Sequence, residues 1–265
     1  MILSRIFKRK WLLVTGLIVM MAVLTGCSPT TNHMTTEDML QGGFWQRNVV
    51  YWFSLVLDKF ATLFNGEYGL AILLLTIVVR TLILPLTLKQ YRSSKAMQAI
   101  QPEIEKIRKK HKDNPQLVQQ ETMKLFQQHG VNPMAGCLPM IVQMPVFIAL
   151  YNSISLNSAI YGHKFLGLQL GLNVKDQGVW LAYLLPVIAA ITTFAQTKMM
   201  QSQQKTAMPG MQVMLLIFPV MIFVMALQFP VALPLYWIFS NLYTIVQNYF
   251  LYVRPSQRKE SVPAK

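Results

Sequence analysis

The chain has 265 residues, 53% of them hydrophobic and only 13% charged, with 24 Lys and Arg against 10 Asp and Glu for a net charge of +14. Soluble domains carry about a quarter charged residues, so this composition excludes an ordinary soluble enzyme, and so apolar a chain is no disordered basic tail. Basic charge without the polar surface of a nucleic-acid-binding domain points to a membrane and away from DNA.

The N-terminus reads as a signal peptide over residues 1–26. Arg5, Lys8, Arg9 and Lys10 form a basic start, Trp11–Leu24 an apolar run, and Leu24-Thr25-Gly26 supplies small residues before Cys27. The ending LTGC resembles the bacterial lipobox, which implies lipidation of Cys27 by N-palmitoyl and S-diacylglycerol groups. Residues 27–48, rich in Thr and Asn with a Gly42-Gly43 break, read as an extracytoplasmic tether. Residues 49–66 are apolar but hold Asp58 and Lys59 and end in Asn65-Gly66, which predicts an interfacial amphipathic helix.

A membrane span needs about 20 mostly apolar residues. Residues 68–88, 133–154, 179–197, 211–228 and 233–253 meet that requirement, so the fold class is an all-α integral membrane protein with a five-helix core. Nine Lys or Arg fall in 89–132, two in the loop 198–210 and four in the tail 254–265, whereas 28–67 and the loop 155–178 hold two each. The positive-inside rule then sets the N-terminus outside and the C-terminus in the cytoplasm. Five spans satisfy both ends.

Residues 89–132 are too polar for a span and too long for a plain loop. Asn114-Pro115 reads as an N-cap with Pro at the first helical position, and Gly130 as a stop. The pattern predicts an antiparallel pair of helices over about 89–111 and 115–129. Ile100, Ile104, Ile107 and His111 share a face of the first arm, and Val118, Thr122, Leu125 and Phe126 face them from the second. The run KIRKKHK places Arg108, Lys109, Lys110 and Lys112 near the tip. These charges read as a solvated face obeying the topology rule, and also as a docking surface for acidic headgroups, ribosomal RNA or an acidic substrate segment.

Arg80 is the one charged residue inside the five spans, about 12 Å below the cytoplasmic end of its helix at 1.5 Å per residue. An Arg at that depth costs about 2.5–3.5 kcal/mol on insertion scales. No span offers a carboxylate, so the guanidinium calls for water or a visiting anion. Thr76 precedes it by one turn on the same face. In the fifth span Trp237, Ser240, Asn241, Thr244, Gln247 and Asn248 form a polar stripe, and the third span adds Thr192, Thr193 and Gln196 after a Pro186 kink. One such residue is ordinarily interhelical glue; six in register point to a hydrated groove. No catalytic set, Gly-rich phosphate loop or metal spacing accompanies them. The reading is therefore non-enzymatic, with no cofactor beyond the lipid.

Four segments, LLLTIVVRTLILPLTLKQ (73–90), GVNPMAGCLPMIVQMPVFIALY (130–151), TTFAQTKMM (192–200) and LPLYWIFSNLYTIVQNY (233–249), resemble the YidC-type membrane protein insertases, over roughly residues 50–254. The lipobox and the absence of a large extracytoplasmic domain resemble the Gram-positive branch. The resemblance implies a hydrophilic groove open to cytoplasm and lipid and sealed outside, with Arg80 as its arginine, Gln196 its polar residue on the third core helix, Trp237 the aromatic on the fifth, and Thr76 at a substrate-touching position. It implies nascent membrane proteins as substrates, acting alone or with the Sec translocon, with the ribosome and anionic lipids as partners. A lone Arg with a polar stripe also suits a small-anion channel or transporter, against which stands the absence of an inverted repeat and of paired half-helices.

Overall fold

Apolar residues at helical spacing dominate the sequence, and the computed structural model is mostly helical over the residues it describes, 33–112, 114–131, 138–202 and 211–253. The expected signal peptide, the expected lipidation site Cys27, Cys137 and the tail 254–265 lie outside the described residues. The helices are α1 (Tyr51–Leu63), α2 (Tyr68–Ala99), α3 (Gln101–Lys110), α4 (Pro115–Gln128), α5 (Leu138–Leu156), α6 (Ser158–Gly162), α7 (Leu184–Ser202), α8 (Met211–Gln228) and α9 (Ala232–Asn248). A two-stranded antiparallel hairpin pairs β1 (Lys164–Phe165) with β2 (Leu168–Gln169). Two compact units divide the chain, Met1–Ala71 with Met144–Leu172, and Ile72–Gln143 with Asn173–Lys265.

In the first unit, the segment read as a tether is docked from residue 33 onward. Met34 exchanges backbone hydrogen bonds with Leu156 and Ser158 at 2.8 and 3.0 Å, and Met39, on the 3-10 turn Glu37–Gln41, is fully buried with Val50 and Leu156. Two methionines in an otherwise polar stretch supply the apolar contact that a free linker lacks. Thr35 donates from both its hydroxyl and its backbone N–H to Asp38, which holds that carboxyl below the usual range. Asp58, the charge that marks the predicted amphipathic helix, accepts from the Thr36 hydroxyl, from the Tyr68 phenol at 2.8 Å and from Asn157 at 3.4 Å. α1 buries Ser54, Leu57 and Ala61 on one side and leaves Trp52 exposed. It stops at Asn65-Gly66, both at positive φ, as that dipeptide predicts. Of the stretch 155–178, read as a loop, α6 and the hairpin belong to this unit, and the 3-10 turn Val174–Asp176 belongs to the second. The Phe165 ring covers Gly69 so closely that a Cβ there would lie 2.2 Å from it.

In the second unit, α7 packs between α8 and α9, and Ala189, Ile222 and Ile238 form the buried centre with Leu185 and Trp237 against them. Pro186 lies in the first turn of α7, directly after the 3-10 turn Trp180–Tyr183, so it stands where 3-10 helix gives way to α-helix. The outer faces of these helices are aliphatic: Ile191 is 61% and Val220 62% exposed, with Ile217, Val224 and Val246 similarly bare. Soluble monomers rarely expose apolar surface on this scale. Among the described residues two helices, Tyr68–Ala99 and Trp180–Gln201, are long and apolar enough to cross a membrane, and Val142–Leu156 and Ile217–Gln228 are shorter apolar helices.

The basic hairpin forms, with one change of boundary. Residues 89–99 are the continuation of α2 and not the start of a separate arm; the break falls at Ile100 (φ −93°, ψ 0°), just before Pro102. A proline at the second residue of α3 cannot donate back into α2, so the long helix ends there. Ile100 and Ile104 pack on Leu125, Phe126 and Val131, with Met97 and Ile107 beside them. Asn114 caps α4 through Leu117 N–H at 3.0 Å. Two contacts clip the arms, His111 to Glu121 at 3.4 Å and His129 to Glu103 at 3.5 Å.

Candidate functional site

The polar stripe of the fifth predicted span resolves into two faces of α9. At about 100° per residue, Tyr236, Ser240, Tyr243 and Gln247 fall within about 60° of one another, and so do Trp237, Asn241, Thr244 and Asn248, centred about 100° away. The faces do different things. On the first, Ser240 Oγ accepts from Arg80 Nε at 3.0 Å and from Arg80 Nη2. The Tyr243 and Thr81 hydroxyls meet at 3.1 Å, and the Gln143 amide donates to the Tyr236 phenol at 2.5 Å. The second face meets α7: Asn241 Nδ2 donates to Thr193 Oγ1 at 2.8 Å and Thr192 Oγ1 at 3.1 Å. Trp237 packs into the α7–α9 core and stands edge-on to Phe229 at 6.1 Å.

Arg80 thus has a partner, and the expectation that only water or a visiting anion would serve it is corrected. The sequence argument looked for carboxylates and passed over a hydroxyl. The ion pairs among the described residues are all His–Glu contacts, so the guanidinium faces neutral groups only. Beside it lies a cavity of about 20 Å³, with Thr87, Gln90 and Gln143 as its other polar lining and Ile83, Leu86 and Val142 as its apolar wall. That is room for about one water, far short of a polypeptide.

The remaining predicted residues are placed as follows. Thr76 is 1% exposed and donates to Ile72 O at 2.7 Å, closed off by its own helix. Thr244 is buried and donates to Ser240 O at 2.8 Å. Gln196 lies half-buried on α7, one turn beyond Thr192. Lys109, Lys110 and Lys112 are exposed at the hairpin tip, with Arg108 half-buried among them. Sequence reasoning missed Gln143, Thr81, Tyr236 and Tyr243. The spacing Tyr236, Ser240, Tyr243 (i, i+4, i+7) carried the information for the last two. Among the described residues no group of three His, Cys, Asp or Glu gathers to hold a metal.

An aliphatic exterior around an interhelical Arg and a row of neutral hydrogen-bonding side chains defines a helical membrane protein with a polar site between its helices. Residues 59–258 match the family model described as 60Kd inner membrane protein, and the chain belongs to that family. It is 43% identical over 264 residues to membrane protein insertase MisCA of Bacillus subtilis (strain 168), covering 98% of this chain and 97% of the relative. Membrane protein insertase YidC 2 of Bacillus anthracis is 41% identical, covering 92% of this chain and 94% of its own. A solved structure described as an active YidC insertase with the first transmembrane domain resolved superposes with a TM-score of 0.63 at 27% identity, over 79% of this chain and 48% of that one. This chain therefore spans about half the length of that solved protein. The motif resemblance holds, and insertases of this family are not enzymes.

Proposed function

We propose that this protein is a membrane protein insertase of the bacterial cell membrane. It receives nascent membrane proteins from the ribosome, alone or beside the Sec translocon, and passes short polar segments outward while their apolar segments move into lipid. The observation that carries this reading is Arg80: a guanidinium on an apolar helix, hydrogen-bonded to the hydroxyl of Ser240 and to no carboxylate among the described residues. Such a cation attracts an acidic segment transiently, because its resting partner is neutral. The work of moving the chain comes from partitioning about 20 apolar residues into lipid, so no nucleotide site is required. In this reading the chain has five spans, with the lipidated Cys27 outside and the C-terminus inside.

Gln196 and Trp237 line the substrate path with Arg80 and Ser240, and Thr76 joins them once the helices part. The small cavity beside Arg80 is the closed form of the groove. Asn241 and Thr244 form the frame that holds it. The tip charges Arg108, Lys109, Lys110 and Lys112 meet anionic lipid and the ribosome. The test is photocrosslinking from probes at positions 196 and 237 to ribosome-bound nascent chains. Crosslinks at both positions are expected. Their absence, with chloride flux through liposomes carrying the protein, would make it an anion channel instead.

A further inference from the structure

The contact between Arg80 and Ser240 has a geometry that bears on substrate choice. Guanidinium presents five N–H donors in a planar fork. The Nε and Nη2 donors lie along one edge, the edge that takes the two oxygens of a carboxylate side by side. Here both converge on the single hydroxyl oxygen of Ser240. The serine is 2% exposed, so bulk water does not compete for it. One turn earlier on α9, the Tyr236 phenol accepts from Gln143 of α5 at 2.5 Å, so the guanidinium edge is set among neutral groups.

We propose that Ser240 is a neutral placeholder on the carboxylate-binding edge of Arg80: it holds the guanidinium oriented while the site is empty and gives way to an acidic side chain of the substrate. The inference rests on the reading of Arg80 as the substrate-facing cation. A carboxylate supplies two anionic acceptors where the serine supplies one neutral acceptor, so a bidentate ion pair replaces a charge–dipole contact on a single oxygen. Displacement is therefore downhill for an acidic segment. A neutral amide or hydroxyl on the substrate gains nothing over the serine already in place. Ser240 in this way sets a threshold that makes the site discriminate acid from neutral, a task a bare guanidinium performs less sharply because it would take any acceptor. The neighbouring cavity, which Arg80 itself lines together with Thr87 and Gln90, has room for about one water beside the guanidinium.

The experiment uses the full chain in proteoliposomes and two matched single-span substrates, whose short exported tails carry either a pair of Asp or a pair of Asn. The readout is the ratio of acidic-tail to neutral-tail insertion, which a general loss of folded protein does not move. Ser240→Asp places a fixed carboxylate on the fork and is expected to abolish the preference for the acidic tail. Ser240→Ala removes the threshold and is expected to lower the ratio by about tenfold, chiefly by admitting the neutral tail, as loss of one hydrogen bond to a charged group implies. Ser240→Thr keeps the hydroxyl and is expected to restore the discrimination. If Arg80→Ala changes the ratio but Ser240→Asp and Ser240→Ala do not, the placeholder is refuted and the role of Arg80 stands. If Arg80→Ala itself leaves the ratio unchanged, both readings fall.

Discussion

Asn241 gives the sharpest quantitative test of how the site is framed. Its amide donates to Thr193 Oγ1 at 2.8 Å and Thr192 Oγ1 at 3.1 Å, with Ala189 O more distant at 3.5 Å. Both threonine hydroxyls already donate along their own helix, Thr193 to Ala189 O at 2.7 Å and Thr192 to Ile188 O at 2.8 Å. Removing the amide therefore deprives each hydroxyl of a donor but orphans neither proton. Interhelical side-chain hydrogen bonds in membranes average about 0.6 kcal/mol and reach about 1.7, so two good ones are worth about 1–2 kcal/mol together. Asn241→Leu keeps the volume and should cost about that much. Asn241→Ala should cost about 1 kcal/mol more, because the site is 7% exposed and a cavity is left. The measurement is reversible unfolding in mixed micelles, arranged as a double-mutant cycle with Thr193→Val. A coupling of about 0.5–1.5 kcal/mol between positions 241 and 193 is expected. Coupling below about 0.3 kcal/mol, the scatter of independent sites, would show that α7 and α9 are held by apolar packing alone and that the second face of α9 has no clamping role.

Other expectations follow from the same geometry. Gly69→Ala drives a Cβ into the Phe165 ring and should destabilise by about 1–3 kcal/mol, the usual cost of overpacking; Phe165→Leu in the same chain should recover part of it in a thermal melt. Asp58→Ala leaves the Thr36 and Tyr68 hydroxyls without their acceptor, and limited proteolysis should then cut the docked segment 33–41 faster, at unchanged rates elsewhere. Ile104→Ala, at a residue 2% exposed, should loosen the hairpin by about 2–4 kcal/mol, read as lost amide-exchange protection confined to α3 and α4. Replacing Lys109, Lys110 and Lys112 with Gln should weaken binding to anionic vesicles by about 1 kcal/mol per charge, with the difference vanishing at high salt.

Much of the architecture was legible because it rests on local rules. Asn114-Pro115 starts a helix, Asn65-Gly66 ends one, and Ile100, Ile104, Leu125 and Phe126 meet where their periodicity puts them. The continuation of α2 through Ala99 was hidden because hydropathy falls at Leu88 while backbone geometry does not change; the water boundary and the helix end are separate events, and only Pro102 marks the second. The docking of residues 33–41 was hidden in Met34 and Met39, two apolar side chains in a polar run that meet Leu156, more than a hundred positions away, as well as Val50.

The partial misreading of α9 has a more general cause. Six polar residues at i, i+3, i+4, i+7, i+10 and i+11 satisfy the criterion for one face, yet that pattern is about 120° wide, enough to touch two neighbours at once. A helix wedged between others has no single inside. Ser240 and Asn241 are adjacent in sequence and serve opposite ends of the argument, one on the guanidinium of Arg80 and the other on the threonines of α7. The division matters for function, because the clamp can hold α9 to α7 while the Arg80 face exchanges its serine for a carboxylate. Only the Arg80–Ser240 contact has to break, and its acceptor is the one that a substrate carboxylate can replace.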